Sequence, residues 1–527
     1  MKSFLKIIGI IAIAAVIGFS MAACDTADNP EGEKDKDKDG ITGNIKFNLT
    51  GAKAILASES SAGGRAVSGI DGGLYKVLAD DSVVPLIEIS TTDNSNTGDN
   101  SSGGGNYAPG YGNNGVPRVK FIARSPVPGK KDLYICFEQN WNYWTEGYWV
   151  DGNGTNDGYW VDGESVSIGT FIHVKEDGSF VTLIGNDYNS WNNIQTDQNN
   201  DPVAFDQLGN LYFTASESSN NYNTNVIYKY NPVTERKENL TAAISNIYYQ
   251  KVELSANGAY VVAKGYRWSQ DGNIDFLRLI PTANPDIADY LFYRTNSGGS
   301  GSVSGFSLHP QKTELYISGY GIYHNTESEQ YEGGFYKIAL EGASRNDWKW
   351  TPIYGSQEQI DGENEWYYFD NVQTIFAASD NSVWGIPGSY WYDYNNQKRK
   401  AFTRLINTSG NKDFFVPQFI KDRIVVAVKP KSTHVYLSVD VNTGQETGRQ
   451  NIWRFPYNDP TKVQNLFQYM TSRNPEFMEV FYFDANDDYL YFGGTQGASL
   501  LTGKIDLVTY KYTEFDFGQR IIAIVAY

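Results

Sequence analysis

From Val119 onward the chain consists of short apolar runs separated by Gly, Asn and Asp turns. Val, Ile, Tyr, Phe and Thr dominate these runs, and apolar positions often alternate with polar ones, as in Ile227-Tyr228-Lys229-Tyr230. A period of two is typical of a strand with one buried and one solvated face. The turn residues between neighbouring runs favour hairpins, and no segment has the pattern of a convincing helix. The sequence therefore predicts an all-β protein.

One unit recurs along the chain: an apolar strand, a polar turn, and a second strand that carries an aromatic residue. The copies at Val203–Phe213 and Val252–Val262 show it clearly, and copies start near residues 119, 203, 252, 304, 373, 424 and 479, with a lone strand at 521. Most copies precede a second hairpin unit such as Ile452–Phe455. The spacing is mostly close to the roughly 40 to 50 residues that one four-stranded propeller blade needs.

This spacing predicts a β-propeller of eight four-stranded blades, or of seven if one weak copy is not a blade. Radial packing of such sheets avoids long exposed edges. The last run, Ile521–Tyr527, has no hairpin after it, and Leu74–Ile87 has the pattern of an outer hairpin without an inner strand of its own. We therefore expect strands from both chain ends to close the ring in one blade. Two packed β-sandwich domains are the alternative architecture.

Several turns between paired strands resemble those of NHL-type, lactonase-like and WD40-like propellers. They are Asp206–Asn210, His309–Pro310 and Asp484–Asp488. The resemblance covers most of residues 119–527 and implies the same radial fold.

The first residues have the pattern of an export signal: basic Met1–Lys6, apolar Ile7–Ala15, and an ending of Met21-Ala22-Ala23-Cys24. This ending resembles a bacterial lipoprotein signal. The resemblance implies cleavage after residue 23, lipidation of Cys24, and anchoring on the non-cytoplasmic side of an inner or outer membrane. Because one acyl chain alone binds weakly, two or three chains would be needed for stable anchoring. A plain transmembrane anchor is the alternative.

The predicted organisation is a signal peptide at 1–23, a lipidated cysteine with a flexible acidic tether at 24–40, and a propeller domain at 41–527. The tether has no aromatic residue and no apolar periodicity, so it cannot form a core. Within the domain, the Gly/Ser/Asn-rich stretch 91–117 predicts a disordered insertion, and 140–163 an aromatic hairpin insertion.

Composition and charge exclude several functions. The chain has 43 Lys and Arg against 61 Asp and Glu, a formal charge of −18. This balance argues against nucleic-acid binding and against electrostatic attachment to anionic lipid. Two cysteines in 527 residues exclude a disulfide scaffold and Cys-based zinc or iron–sulfur sites. One of them, Cys136, lies within an apolar strand, which predicts a buried, inert thiol.

Catalytic signatures are absent from the sequence. There is no HExxH, GxSxG or GxxxxGK[ST] motif, and the acid pairs Asp80-Asp81 and Asp487-Asp488 occupy turns, where acids are ordinary. The four histidines are scattered, at positions 173, 309, 324 and 434, and His309 precedes Pro310 in a repeated turn, which favours a structural role. The sequence predicts no catalytic residue, metal site or cofactor, and it favours a non-enzymatic protein without deciding the matter.

The insertion 140–163 contains the direct repeat Gly-Tyr-Trp-Val-Asp-Gly, at 147–152 and 158–163. The offset and the Gly/Asn/Asp-rich centre predict a protruding two-stranded hairpin. Large rings beside Asn and Asp suit stacking on sugars or anchoring a protein. Alternatively, the rings cover one end of the propeller core. The candidate ligand-binding residues are Trp141, Trp144, Tyr148, Trp149, Tyr159 and Trp160. Secondary candidates are Trp366–Tyr368 and Tyr390–Tyr394.

The resulting hypothesis is a membrane-anchored envelope lipoprotein whose propeller binds or scaffolds a glycan or protein partner, and no nucleic acid. Two alternatives stay open: a propeller hydrolase or lyase acting on carbohydrate at the central channel, and a structural lipoprotein without a small ligand. Carboxylates, His or Arg clustered at the channel mouth would favour the enzyme.

Overall fold

The computed structural model describes residues 45–527 with gaps. The described ranges are 45–58, 73–89, 119–137, 141–144, 148–150, 159–161, 165–168, 171–184, 203–219, 222–241, 247–269, 272–285, 289–293, 301–325, 330–340, 348–359, 366–388, 402–420, 423–431, 433–441, 449–470 and 478–527. The predicted signal peptide, Cys24, the acidic tether and the insertion 91–117 lie outside these ranges.

The described strands form eight antiparallel sheets arranged as a β-propeller, so the predicted all-β class and eight blades are confirmed. Blade 1 contains β6 (Val119–Arg124), β7 (Leu133–Phe137), β12 (Phe171–Val174) and β13 (Phe180–Ile184). Blade 2 contains β14 (Val203–Phe205), β15 (Leu211–Ser219), β16 (Tyr222–Asn231) and β17 (Arg236–Asn239). Blade 3 contains β18 (Ile247–Leu254), β19 (Tyr260–Ser269), β20 (Gly272–Pro281) and β21 (Asp289–Tyr293). Blade 4 contains β22 (Ser302–Leu308), β23 (Glu314–Asn325), β24 (Gln330–Ala339) and β25 (Lys349–Gly355).

The remaining blades follow the same order, with two variations. Blade 5 has five strands, β26 (Gln357–Gln359), β27 (Trp366–Ala377), β28 (Val383–Gly388), β29 (Thr403–Ile406) and β30 (Lys412–Phe415). Blade 6 contains β31 (Val425–Pro430), β32 (His434–Asp440), β33 (Gln450–Pro456) and β34 (Gln464–Asn465). Blade 7 contains β35 (Met478–Ala485), β36 (Tyr489–Gln496), β37 (Ser499–Asp506) and β38 (Tyr512–Glu514). Blade 8 joins β39 (Ile521–Ala526) to β2 (Ala54–Ser58), β3 (Leu74–Val77) and β4 (Val83–Pro85).

Three two-stranded pairs lie outside the blades: β1 (Ile45–Phe47) with β5 (Ile87–Ile89), β8 (Trp141–Trp144) with β11 (Ser165–Ile168), and β9 (Tyr148–Val150) with β10 (Tyr159–Val161). The helical elements of the described chain are single 3₁₀ turns at Gln418–Ile420 and Leu466–Tyr469.

The ring closes through the two chain ends, as the sequence predicted. Inner strands of neighbouring blades contact each other, as β14 does with β18 and β22 with β27, and β39 contacts both β35 of blade 7 and β6 of blade 1. The N-terminal part supplies three strands of blade 8 rather than a hairpin alone, because β2 pairs with β39 on one side and β3 on the other. Sequence reasoning missed β2 because all five of its residues are buried and show no alternation.

The core of the protein is distributed between blades rather than enclosed by one sheet. Strands inside the blades bury both faces, so that Phe213 of β15 packs towards blade 1 while its neighbour Tyr212 packs towards blade 3. Seven such clusters join consecutive blades from blade 1 to blade 8. Burial of both faces explains the high content of Val, Ile, Tyr and Phe.

A basic residue recurs at one register position of the third strand of each blade, when β27 is counted as the first strand of blade 5 and β26 as an added outer strand. It lies opposite an aromatic residue of the second strand in six blades, as in Trp384↔Arg404 and Tyr436↔Arg454. The eight basic positions are His173, Lys229, Arg278, Lys337, Arg404, Arg454, Lys504 and Lys76. Arg454 is 8% exposed and donates from Nη2 to the Leu507 carbonyl of the next blade at 3.2 Å. The basic residue that alternates with apolar residues on the third strand can therefore bind the neighbouring blade, as Arg454 does.

Candidate ligand-binding face

The two faces of the propeller differ because each blade is an antiparallel meander. Turns between first and second strands and between third and fourth strands lie at one end of a blade, and the remaining links lie at the other. The links of the first group are short, and we call the end of the propeller where they lie the tight-turn face. The second group includes all the long links and the aromatic insertion of blade 1, and we call its end the long-link face.

The tight-turn face is held by Asx turns. Asp80 and Asp177 each accept hydrogen bonds from the hydroxyl and the backbone N–H of the serine two residues later, at 2.6 to 3.1 Å. These hydrogen bonds hold the pKa of both carboxyls below its usual value. The acid pair Asp80-Asp81 thus serves the turn, and Asp81 also forms an ion pair with Lys504.

Histidines and tyrosines on the tight-turn face also hold structure. His309 is fully buried, and its Nδ1 accepts hydrogen bonds from the backbone N–H groups of Gln311 and Lys312, at 3.0 and 3.1 Å. Burial lowers the pKa of His309, in keeping with a neutral acceptor. The Tyr527 hydroxyl donates to the Lys131 carbonyl of blade 1 at 3.2 Å. These bonds support the structural role expected for His309.

The aromatic insertion stands on the long-link face, between the second and third strands of blade 1. β8 pairs with β11, and β9 pairs antiparallel with β10, as expected for a hairpin from the direct repeat. The register places Trp149 opposite Trp160, Tyr148 opposite Val161, and Tyr159 opposite Val150. Trp141 and Trp144 lie on β8, opposite Ile168 and Ser165. Of the six candidate residues the structure describes the backbone alone.

An extra residue bulges from the first strand at the same register position in seven blades of the described structure. Each bulge lies near the long-link end, where the strands surround the mouth of the channel, and the extra residues are Lys120, Gln250, Ser304, Gln373, Val426, Phe481 and Ile522. A bulge bends its strand and redirects side chains, and bulges are common beside functional sites. The repeat therefore shapes the mouth on the long-link face.

Glycines of the second strand accommodate this bend in three blades. Gly265, Gly319 and Gly494 each lie opposite the residue that precedes the bulge. A Cβ at these positions would lie 2.0 to 2.4 Å from a carbonyl oxygen of the first strand, as with Gly494 and the oxygen of Glu479. Only glycine allows so close an approach of two backbones.

Polar side chains line the inner wall between blades 3 and 4, and they bind the backbone of the next blade. The Lys251 Nζ donates to the Phe306 carbonyl at 3.0 Å and lies 2.5 Å from Glu253 Oε1. The Leu308 N–H donates to Glu253 Oε2 at 2.6 Å. This charged pair therefore joins two blades and does not form an acid–base pair available to a substrate.

Asp370 carries a buried carboxyl group on the long-link face, at the junction of blades 4 and 5. It is 9% exposed, and its Oδ1 has no hydrogen-bond partner among the described residues. Burial raises its pKa. The Ser304 hydroxyl donates to its backbone carbonyl at 2.7 Å rather than to the carboxyl. From the sequence, Trp366–Tyr368 were secondary candidates for their aromatic rings, and no local pattern singles out Asp370, which follows them.

Other expectations have mixed outcomes. Cys136 is completely buried, as predicted. Tyr390–Tyr394 lies outside the described residues, whereas Trp366–Tyr368 forms the start of β27. In the described part of the chain, no group of three His, Cys, Asp or Glu side chains is placed to hold a metal ion. The same residues include no helix with the length and apolarity to span a membrane.

No family model and no curated protein matches the chain. Solved propellers of peptidases are similar to it at low identity. Prolyl oligopeptidase B from Galerina marginata gives a TM-score of 0.39 at 9% identity, covering 73% of this chain and 47% of that one. Acylaminoacyl peptidase from Pyrococcus horikoshii gives 0.38 at 12%, covering 76% and 52%. The β-propeller domain of the trilobed protease from Pyrococcus furiosus gives 0.30 at 11%, covering 61% and 96%.

The chain thus spans about half the length of the two complete peptidases. At these identities and scores the similarities carry no activity to this protein, and its eight blades are defined by its own strand pairing.

Proposed function

We propose that this protein is a lipid-anchored envelope propeller that captures a glycan or a protein partner on its long-link face. The observation that carries the proposal is the register of the aromatic hairpin, which sets Trp149 opposite Trp160. Directly opposed positions of an antiparallel pair lie on one face of the ribbon, about 5 Å apart. Tryptophans at two such positions suit stacking on a sugar ring or anchoring an interface.

The division of labour between the two faces supports a binding role. The tight-turn face uses its acids and His309 to hold turns, and the inner-wall pair Lys251–Glu253 binds backbone groups of the next blade. The long-link face instead carries the insertions, and loops that extend from a rigid scaffold are where binding residues concentrate. A binding module requires only this surface, whereas the hydrolase or lyase alternative requires acid–base groups at the channel.

The binding test compares the intact mature protein with a Trp149→Ala/Trp160→Ala variant on a glycan array and in pull-downs from envelope extract. We expect the variant to lose at least tenfold in affinity for the captured ligand. A control variant, Leu208→Ala/Val233→Ala, removes two apolar side chains that are 80% and 85% exposed on the tight-turn face. Equal capture by the tryptophan variant and the wild type would refute the site, as would equal loss in the control.

The anchoring proposal has a separate test. Cys24→Ser removes the predicted acylation site, so the protein should leave the membrane fraction and lose incorporation of labelled palmitate. Cys136→Ser is the matched control, since that thiol is buried inside blade 1. Unchanged membrane association and labelling of the Cys24 variant would contradict a lipid anchor.

A further inference from the structure

Asp370 combines features that a purely structural residue does not need. A buried carboxylate is costly unless it is paired with a cation or hydrogen-bonded, and its Oδ1 has no partner in the described part of the chain. Burial raises the pKa of Asp370, and burial, Glu332 and Asp370 together raise the pKa of Tyr336. The Asp370 Oδ1 therefore lacks a hydrogen-bond donor among the described residues, and a cationic donor would also neutralise the carboxylate.

The lysines that reach this wall from blade 3 hold backbone carbonyls. Lys264 Nζ donates to the Ser304 carbonyl at 3.4 Å, and Lys251 donates to the Phe306 carbonyl. Between them the Ser302 hydroxyl donates to Asp275 Oδ2 at 2.7 Å. The two lysines and Ser302 thus each hydrogen-bond to a group other than the Asp370 carboxyl.

Aromatic side chains lead from the surface to Asp370. Trp366 and Tyr368 are two residues apart in β27 and lie on one face of the strand, and Asp370 follows within the irregularity between Tyr368 and Val372. Phe369, next to Asp370, stacks on Tyr354 at 4.0 Å. Exposure falls along this segment from 46% at Trp366 to 9% at Asp370. On blade 4, Tyr320 is 54% exposed.

Glycine makes room where the two blades meet. A Cβ on Gly333 would lie 3.2 Å from the Cα of Tyr320 and 3.3 Å from the Cβ of Asp370. Tyr320 and Asp370 therefore flank the same glycine backbone from two blades.

From this geometry we propose that Asp370, Trp366 and Tyr320 form a site for the primary ammonium group of an alkylamine, such as a lysine side chain of a partner protein or a free diamine. The ammonium group would donate a hydrogen bond to Asp370 Oδ1 and neutralise its charge. The methylene stem would lie along the two rings, which also attract the cation. A sugar hydroxyl could donate the same bond but would leave the buried charge uncompensated, so the geometry favours the amine.

This site does not depend on the aromatic hairpin. Blades 1 and 5 are four positions apart in a ring of eight, so the two sites lie on opposite sides of the channel. The Trp149→Ala/Trp160→Ala variant should bind amines as the wild type does, which keeps the two proposals separable.

Calorimetric titration of the intact mature protein with Nα-acetyl-lysine amide, cadaverine and Nα-acetyl-norleucine amide tests the proposal. The norleucine compound keeps the stem and lacks the ammonium group. We expect the lysine amide to bind, the norleucine amide to bind at least tenfold more weakly, and Asp370→Asn to weaken lysine-amide binding at least tenfold. Tighter binding of cadaverine than of the lysine amide would identify a free diamine as the natural source, and the reverse would identify a protein side chain.

Two further variants test the ring contact and provide a control carboxyl. Trp366→Ala should weaken lysine-amide binding about two- to fivefold, as expected for one exposed cation–π contact. Asp459→Asn changes a carboxyl of the tight-turn face, which accepts from Thr461 and Lys462, and should bind as the wild type does. The proposal is overturned if the wild type binds neither amine, if the norleucine amide binds equally well, or if Asp370→Asn binds with unchanged affinity.

Discussion

Replacement of Gly494 by alanine tests whether second-strand glycines permit the bend of the first strand. Gly494 lies opposite Val480, directly before the bulge of blade 7. A Cβ at this position would lie 2.0 Å from the carbonyl oxygen of Glu479 and 3.0 Å from the Cα of Val480. Both neighbours are backbone atoms, so no side-chain rotation can relieve the overlap, and β35 must shift as a whole.

The size of the effect follows from that geometry. Overpacking in a close-packed region costs typically about 1–3 kcal/mol, and a contact roughly 1 Å too short with a fixed partner belongs at the upper end. Alanine also restricts the unfolded chain, which returns about 0.4–1 kcal/mol. The net expectation is a loss of about 2 kcal/mol in the free energy of unfolding. Gly265→Ala and Gly319→Ala should behave alike, since their Cβ atoms would meet carbonyl oxygens at 2.2 and 2.4 Å.

Urea denaturation provides the assay, with stability compared through the midpoint at unchanged slope. Gly518→Ala is the control, because a Cβ there would meet nothing within 4 Å. That variant should equal or slightly exceed the wild type. If Gly494→Ala proves as stable as Gly518→Ala, the first strand does not depend on the glycine and the account of the bulges is wrong.

Three further predictions concern charge and closure. Asp370→Asn should stabilise the protein near neutral pH, because burial raises the folded-state pKa of Asp370 above the unfolded value of about 4. The stability of the wild type should therefore fall relative to that of the variant as pH rises through the folded-state pKa. Thermal midpoints of the two proteins that differ by the same amount at every pH would contradict this. Arg454→Met removes a charged hydrogen bond to the Leu507 carbonyl and should cost about 1.5–3 kcal/mol in urea denaturation, whereas Lys462→Met, at a side chain 76% exposed, should change little. Deletion of Ile521–Tyr527 removes the inner strand of blade 8 and should make the chain sensitive to limited proteolysis, while native-like resistance would show that the ring does not need this strand.

The repeat was visible in the sequence because each blade must solve the same packing problem. Sheets pack face to face against the neighbouring blades, so apolar and aromatic residues recur at equivalent positions, with a basic residue on the third strand of the blade. The lone strand at Ile521–Ala526 indicated closure for the same reason, since an inner strand without a hairpin needs partners from elsewhere. The pairing of β9 with β10 was predictable because the direct repeat and the turn residues between its copies are local signals.

Other features escaped the sequence because they depend on contacts between distant segments. β2 contains alanines and a serine within a fully buried run, and only its pairing with β39 identifies it as a strand of blade 8. The fifth strand of blade 5 forms because β26 pairs with the extended start of β27. Neither pairing leaves a periodic pattern in the chain.

The sequence by itself determined the all-β class, indicated the closure and limited the blades to seven or eight, because hydrophobic periodicity reports which faces of each strand are buried; the strand pairing then fixed eight. The tertiary structure decided which polar groups have partners. Nothing in the residues around Asp370 distinguishes it from the acids of the tight turns, yet its carboxyl lies buried against Gly333 of another blade while theirs accept hydrogen bonds from their own turns. Burial and electrostatics depend on the three-dimensional neighbours of a side chain, and those neighbours come from strands that are far apart in the chain.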